Sequence, residues 1–458
     1  MKSAVALTEI YYIPHRSQTT CLRPACFVRP TDHLEVAAVI RVIKAHRARF
    51  AIRAGGHNPN ANFASINNSG ILVDLQGLNS IALSADGILR VGPGKTWEQT
   101  YQFAQERGRY VIGGRHGSVG ISGLLLGGGL SFFPSLFGMA VDSVVNFEVV
   151  LSNSTIVNAN TQENPDARIG LNSLLDLYRA LKGGSGNFGV VTRFDIETYA
   201  PVPAQYTINI YNATDYFNVL HATARLQLAM ESDPRIGFFL NVRAGVMVAG
   251  LLNARQELTR PPAFEEFFQL KSLIAPLVRT TDGPILDLVP VLDHVGQTVL
   301  PARRAINAVT TKVDPQLYVD VHKRYIALLR NNTLQTDLSY TIQAIPRYVA
   351  EIGQGRRGGN SLGLSSTVSK GWACLGEWLH ESMDSMSEQH VLSLGDTIRS
   401  VAGQEDNLLG YIFMNDAGAS QRVIESYGTE NGRYMKAVAT KYDPTGVFQK
   451  QRNGGFFL

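Results

Sequence analysis

The stretch VIGGRHGSVGISGLLLGGGLSFF, Val111 to Phe133, sets eight glycines among 23 residues and spaces them with apolar side chains. A flexible glycine linker is polar. This one is not, so its backbone must be buried, and buried N–H and C=O groups need partners. Two readings supply them. One is a large ligand with a pyrophosphate and a flat apolar ring; the other is a set of tight turns and close strand crossings.

Two more clusters flank it. In FAIRAGGHNPNAN (Phe50 to Asn62) a strand-like run stops at Gly55 and Gly56, and His57, Asn58 and Pro59 follow at once. Further on, Gly184-Ser185-Gly186-Asn187-Phe188-Gly189 matches G-x-G-x-x-G. The Rossmann reading of that motif needs a strand before it, a helix after it and an acid about 20 residues on. Here LLDLYRALKG before it is helical, VVTRFDIET after it is a strand, and Gln205, Tyr206 and Thr207 stand where the acid should be. A nicotinamide-type site is excluded. A glycine loop between helix and strand is still a phosphate cradle, because glycine lets backbone N–H groups approach an anion. No cluster continues as G-K-[ST], so P-loop triphosphate chemistry is excluded too.

The 458 residues suggest two domains. A hydrophobic content of 45% and a charged content of 17% fit a globular enzyme with a sizeable core. The net charge of +4 is small and no basic run stands out, so neither nucleic acid nor a membrane is implied as a partner. No run is long and apolar enough to cross a bilayer. MKSAVALTEIYYIPH is not read as a signal peptide, because Thr8 and Glu9 interrupt it. Asn67, Asn153, Asn212 and Asn331 sit in glycosylation sequons, so cytoplasmic and secreted locations both stay open, and nothing specifies an oligomeric state. Cys21, Cys26 and Cys374 fit neither a disulfide framework nor a zinc spacing, and no metal site is read. Cys21 and Cys26 read as a pair under oxidising conditions or as buried free thiols.

Patterning predicts a helix over HLEVAAVIRVIKAHR, with Val36, Ile40, Val42 and Ile43 on its apolar face, and another over TWEQTYQFAQERG. FAIRA, GILVDL, ILRVG and FEVVLSNSTIVNA read as strands. After Pro201 the texture changes. QYTINIY is a strand by alternation, and NVLHATARLQLAM and PQLYVDVHKRYIALLRN are helices by spacing. Boundaries are expected near 200 and near 405.

Taken together, IRAGGHNPNANF, GILVDLQGLNSI, GGRHGSVGISGLLLGGGLSFF, FGMAVDSVVNFEVVL, ALKGGSGNFGVVTRFDIET and the closing KYDPTGVFQKQ resemble the flavoprotein oxidases with a vanillyl-alcohol-oxidase-type (PCMH) FAD-binding domain. The resemblance is to the berberine-bridge-enzyme-like group and its microbial and fungal branch. It covers most of 20–200 and 405–458. It implies an α+β fold of two domains: an FAD-binding part over 1–200, a substrate domain over 201–404 made of an antiparallel sheet covered by helices, and a segment over 405–458 that returns to the first part.

The cofactor implied is FAD. In this family the histidine of R-x-G-G-H is joined to the 8α-methyl of the isoalloxazine, which assigns the link to His57; a turn histidine serving a buried hydrogen bond is the bland alternative. Many members carry a second link through a cysteine three residues before the Val-Gly of the middle cluster. Counting back from Val119-Gly120, that position is His116, so a single bond, through His57 only, is expected, with a lower flavin potential than in doubly linked relatives. The resemblance assigns cofactor contacts to Arg53, Ala54, Gly55, Gly56, His57 and Asn58. It adds Gly114, Arg115, Ser118, Val119, Gly120, Gly123, Gly127, Gly128, Leu130 and Ser131 from the middle cluster. Gly186, Gly189, Val190, Val191 and Asn415 complete the set.

For catalysis it implies hydride transfer from substrate carbon to flavin N5, reoxidation by O2, and a protein group that takes a proton. GYIFMNDAGASQ (Gly410 to Gln421) resembles a family strand crossing near the flavin. Its usual tyrosine is Asp416 here, so Asp416 reads as a candidate base or as a carboxylate that caps a turn or pairs with an arginine, with Tyr411 as a substitute base. His116 reads as a group over the ring or as a packing or hydrogen-bonding residue. RRGGNSLGL (Arg356 to Leu364) resembles a substrate-domain strand in which Asn360 lines the pocket. Trp372 and Trp378 read as core residues or as platforms for an aromatic substrate. Residues 167–176 depart from the family as a longer loop or as translated sequence that is normally removed. The substrate expected is a small natural product bearing an alcohol, phenol or amine. The alternatives are an oligosaccharide oxidase and a flavin-containing cyclase with a non-oxidative reaction.

Overall fold

The computed structural model describes residues 17–162, 174–255, 260–295, 302–331, 336–367 and 369–458. Residues 1–15 and most of 167–176, both discussed above, lie outside these. Among the described residues the strands form three sheets. A small parallel sheet joins β1 (Cys26–Val28), β2 (Phe50–Arg53) and β3 (Ile71–Asp74), with β3 central. An antiparallel sheet follows in the order β4-β5-β8-β6-β7, from β4 (Ile81–Leu83), β5 (Ile88–Val91), β6 (Val144–Val150), β7 (Ile156–Asn160) and β8 (Val190–Glu197). The third sheet has eight antiparallel strands. They are β9 (Pro203–Asn212), β10 (Ile236–Arg243), β11 (Val246–Asn253), β12 (Leu273–Pro284), β13 (Arg303–Lys312), β14 (Asp337–Ile345), β15 (Ser369–Trp378) and β16 (Leu408–Leu409), ordered β12-β9-β11-β10-β14-β15-β13-β16. The fold is α+β, as expected.

Local chemistry explains the elements. The helix His33–His46 begins at Asp32, whose carboxylate accepts from the Glu35 N–H at 2.8 Å, and stops at Arg47, which turns left-handed. Val36, Ala37, Ile40 and Ile43 are its buried stripe; Val42, expected there, is 45% exposed because it lies one residue off the 3.6-residue period. FEVVLSNSTIVNA is two paired strands, β6 and β7, rather than one, because Asn153 accepts from the Thr155 N–H and Ser154 takes a left-handed turn. The helices Tyr216–Ala229, Pro315–Asn331 and Asp384–Gln404 pack together around the large sheet and form its apolar back.

Two expected strands are not strands. Arg356–Leu364 is a loop with Arg357, Gly358, Gly359 and Gly363 at positive φ, which no strand allows. Gly410–Gln421 is irregular, with a short 3-10 turn at Met414–Asp416. Cys21 and Cys26 are both free and exposed, neither paired nor buried.

The glycine clusters meet backbone to backbone. A β-carbon on Gly55 would lie 2.4 Å from the Gly120 Cα, and one on Gly120 would lie 2.6 Å from the Gly55 Cα. Gly120 in turn starts the helix Ile121–Leu126 and bridges Thr96, beside the helix Trp97–Gln105. Gly55→Ala should therefore cost about 1–3 kcal/mol of stability through overpacking. Gly123→Ala, a helical position with open space around its missing β-carbon, should be neutral or stabilising by up to ~1 kcal/mol. Chemical denaturation of the two variants checks the contrast.

Candidate active site

A cavity of about 580 Å³ runs between the glycine clusters and one face of the large sheet, well within the size range of ligand sites. The first cluster lines it with Ala54, Gly55, Gly56, His57 and Asn58. Gly114, Arg115, Val119, Gly120, Gly123 and Leu130 come from the second, and Gly186, Gly189, Val190 and Val191 from the third. His116, Asn415 and Asp416 also face it. Residues spread over more than 350 positions of sequence thus share one wall.

Six expected site residues lie elsewhere. Arg53 is buried under the small sheet, where it bonds Asp74 at 3.3 Å. The Ser118 N–H and hydroxyl both bind Asp293, at 3.1 and 3.2 Å. Gly127 makes room for the Asn415 amide, and Gly128 packs on Leu362. Ser131 is 3% exposed in an apolar run. Tyr411 stacks on Tyr427 with ring centroids 5.7 Å apart, away from the cavity, and burial pushes its phenol well above the ordinary value. It does not replace the missing tyrosine. Asn360 is likewise outside, donating to Asp142 at 2.9 Å. Trp372 and Trp378 are core residues, bonded to Thr311 and Asp384.

Asn415 works as a clip. Its Oδ1 accepts from the Gly129 N–H at 2.9 Å, and its Nδ2 donates to the carbonyls of Gly123 and Leu124 at the end of helix Ile121–Leu126. This fixes the next residue, Asp416, at the cavity. Asn58 accepts from the Asn60 N–H at 2.9 Å, and the Asn60 amide donates to the Ala417 carbonyl at 2.9 Å, so the first loop is tied to the same segment.

The opposite wall is built by alternation. Strand side chains point to opposite faces with period two. Phe239, Asn241 and Arg243 of β10, Thr341 and Gln343 of β14, and Ala373 and Leu375 of β15 therefore all face the cavity. Register sets Phe239 opposite Gln343 and Asn241 opposite Thr341. Trp372, one residue off, turns to the other side. Pattern reading missed this wall; the alternation in SYTIQAI was the signal that exposes it.

The two walls meet in a buried relay. Arg115 donates to Gln343 Oε1, and Gln343 Nε2 donates to Asp416 Oδ2 at 2.6 Å. The guanidinium lies 5.4 Å from the Phe239 ring centre. Burial pushes the Asp416 carboxyl up to about 6, against the opposing pull of Arg115 and the Gln343 hydrogen bond. Burial also lowers Arg115 to about 10, with Asp416 opposing it. Beside this relay, His116 Nδ1 pairs with Asp293 Oδ1 at 3.3 Å. Burial raises Asp293, but the bonds from His116 and Ser118 outweigh it and hold the carboxyl below its usual range.

Residues 24–160 match the family described as FAD binding domain. The chain is 34% identical over 452 residues to the FAD-dependent monooxygenase macF of Penicillium terrestre, covering 96% of this chain and 83% of that one. The chain belongs to the PCMH-type, berberine-bridge-enzyme-like FAD oxidoreductases. A second relative, the bifunctional solanapyrone synthase of Alternaria solani, is 30% identical over 457 residues, covering 97% and 83%. In fold, this flavoprotein is similar to 6-hydroxy-D-nicotine oxidase of Arthrobacter nicotinovorans, with a TM-score of 0.77, 19% identity, and 94% and 92% of the two chains covered. It is also similar to the glucooligosaccharide oxidase of Acremonium strictum, described with 6-S-cysteinyl, 8α-N1-histidyl FAD, at a TM-score of 0.79, 14% identity, and 97% and 94% coverage.

FAD fits the residues present. The three glycine clusters lay bare backbone along the cavity, a β-carbon on Gly123 would meet only open space, and the buried Arg452 side chain lines the cavity from the C-terminal segment. Arg115→Met removes the cation that opposes burial at Asp416. The Asp416 midpoint should then rise above about 6, read from the carboxyl 13C shift against pH.

Proposed function

We propose that this flavoprotein oxidises a small, largely apolar natural product at a carbon bearing a hydroxyl or amine, with Asp416 taking the proton. The observation that carries this is a carboxylate poised near neutrality, at about 6, and directed into the flavin cavity by Gln343. Bound along the glycine wall, FAD would supply the two-electron acceptor, taking a hydride at N5 and passing both electrons to O2. Residues 1–200 and 405–458 would hold it, and residues 201–404 would shape the substrate side.

Asp416 is unprotonated above about pH 6 and able to accept the substrate hydroxyl proton. Arg115 lies on the far side of Gln343, so the amide carries its charge to the carboxylate without direct contact. Gln343 is held at both ends and can present only its N–H to Asp416. Asn241, which donates to Thr341 at 2.9 Å, forms with it a polar strip where substrate oxygens would be read. His116, fixed by Asp293, stands in place of the second linking residue, so the covalent bond we assign is through His57 alone.

An oligosaccharide substrate is less well supported. Among the described residues the cavity lining holds neither Trp nor Tyr, and Ile208, Val248, Leu277, Leu292, Ile306 and Leu375 make much of its surface apolar. Such a wall desolvates rings and alkyl chains readily but leaves sugar hydroxyls unpaired. The relative named as a bifunctional solanapyrone synthase also favours a small molecule over a sugar chain.

Oxygen uptake by the purified yellow protein against phenolic, alkaloid and sugar panels tests this reading. Peroxide formed one for one with oxygen consumed supports it; oxygen retained in the product points to monooxygenation instead. Acid precipitation should carry the yellow colour down with the protein, and His57→Ala should release it into the supernatant. With a substrate in hand, kcat/KM should fall about tenfold per pH unit below about 6, where Asp416 is protonated. Asp416→Asn should lose roughly 10²–10⁴-fold and flatten that limb.

A further inference from the structure

We propose that Arg452 is the cationic anchor for the pyrophosphate of the bound FAD. The other buried arginines have carboxylates at hand. Arg53 bonds Asp74, Arg304 bonds Glu377 at 2.6 Å, and Arg115 has Asp416 just across Gln343. Arg452 is 8% exposed, and its polar contact is a neutral one: Nη2 donates to Asn187 Oδ1 at 2.9 Å. Its Nε is buried with no hydrogen bond, and among the described residues no carboxylate pairs with it. A guanidinium left this way in a folded interior is costly unless a ligand supplies the negative charge.

The cavity is where that ligand would be. Arg452 lines it and touches the third glycine cluster, since a β-carbon on Gly186 would come 2.6 Å from Nη1 and one on Gly455 would come 2.8 Å from Nη2. The helix Leu175–Leu181 ends just before this loop and so turns its carbonyl end toward it, the wrong sign for a phosphate. A phosphate cradle at a helix C-terminus needs a cation from another element. The parallel bridge between Arg452 and Phe50 brings one in beside the strand that leads into Gly55 and Gly56. A guanidinium suits the task because its planar donors match phosphate oxygens two at a time.

The inference rests on FAD occupying this cavity, and the test separates the two. In a His57→Ala background, where binding is reversible, quenching of flavin fluorescence gives Kd for FAD and for riboflavin, which lacks phosphate. Arg452→Met should weaken FAD by about tenfold or more, leave riboflavin within about twofold, and flatten the salt dependence of FAD affinity. Arg452→Lys should recover part of the loss. The melting temperature of the flavin-free protein should hold or rise in Arg452→Met, since an uncompensated charge has gone. Equal weakening of FAD and riboflavin, or a fall in that melting temperature, would overturn the assignment in favour of a ring contact or a packing role. A His57→Ala parent that binds no FAD at any concentration would sink the cofactor reading and this one with it.

Discussion

The contact on which the site depends is the one between Gly55 and Gly120. Two chain segments cross there with no side chain between them, and any β-carbon would hold them apart by more than the packing allows. From that crossing the rest follows in order. Gly120 starts a short helix, the end of that helix is clipped by Asn415, and the clip sets Asp416 at the cavity. The same crossing lays His57 along the wall immediately beyond Gly56, whose φ of 67° is a turn that glycine takes without strain. Backbone closeness and the position of the carboxylate are therefore one constraint.

The chemistry is shared between walls. Asp416 comes from the segment clipped to the glycine wall, Gln343 from the large sheet and Arg115 from the second glycine cluster. None of the three has its working environment without the other two. Burial alone would push the carboxyl still higher, and the cation alone would drag it toward ordinary acidity; the balance near 6 needs both. A similar tie joins His116 and Ser118 to Asp293 on the helix Leu288–Val295. The second glycine cluster is thus held by polar contacts at two points, to the large sheet through Gln343 and to the helix Leu288–Val295 through Asp293.

Much of this was legible in the sequence. The glycine clusters, the strand before His57 and the long helix Pro315–Asn331 depend on residues close together in the chain, and local spacing reveals them. Asn415 and Asp416 were found because they sit beside each other in a recognisable segment. Tyr411 misled for a related reason. Five residues from Asp416 in sequence, it turns the other way to stack on Tyr427, because an irregular segment has no period to say where a side chain points.

The sequence by itself determined the glycine framework, the α+β alternation and the family, since each is written in contiguous residues whose backbone demands are local. Tertiary structure alone decided which carboxylate is poised, which buried arginine has only a neutral side-chain partner and which sheet face meets the glycine wall. Charge interactions act through space over a few ångströms, between residues that stand hundreds of positions apart in the chain. A one-residue change of register would have put Trp372 rather than Ala373 in the cavity, and only the paired strands fix that register.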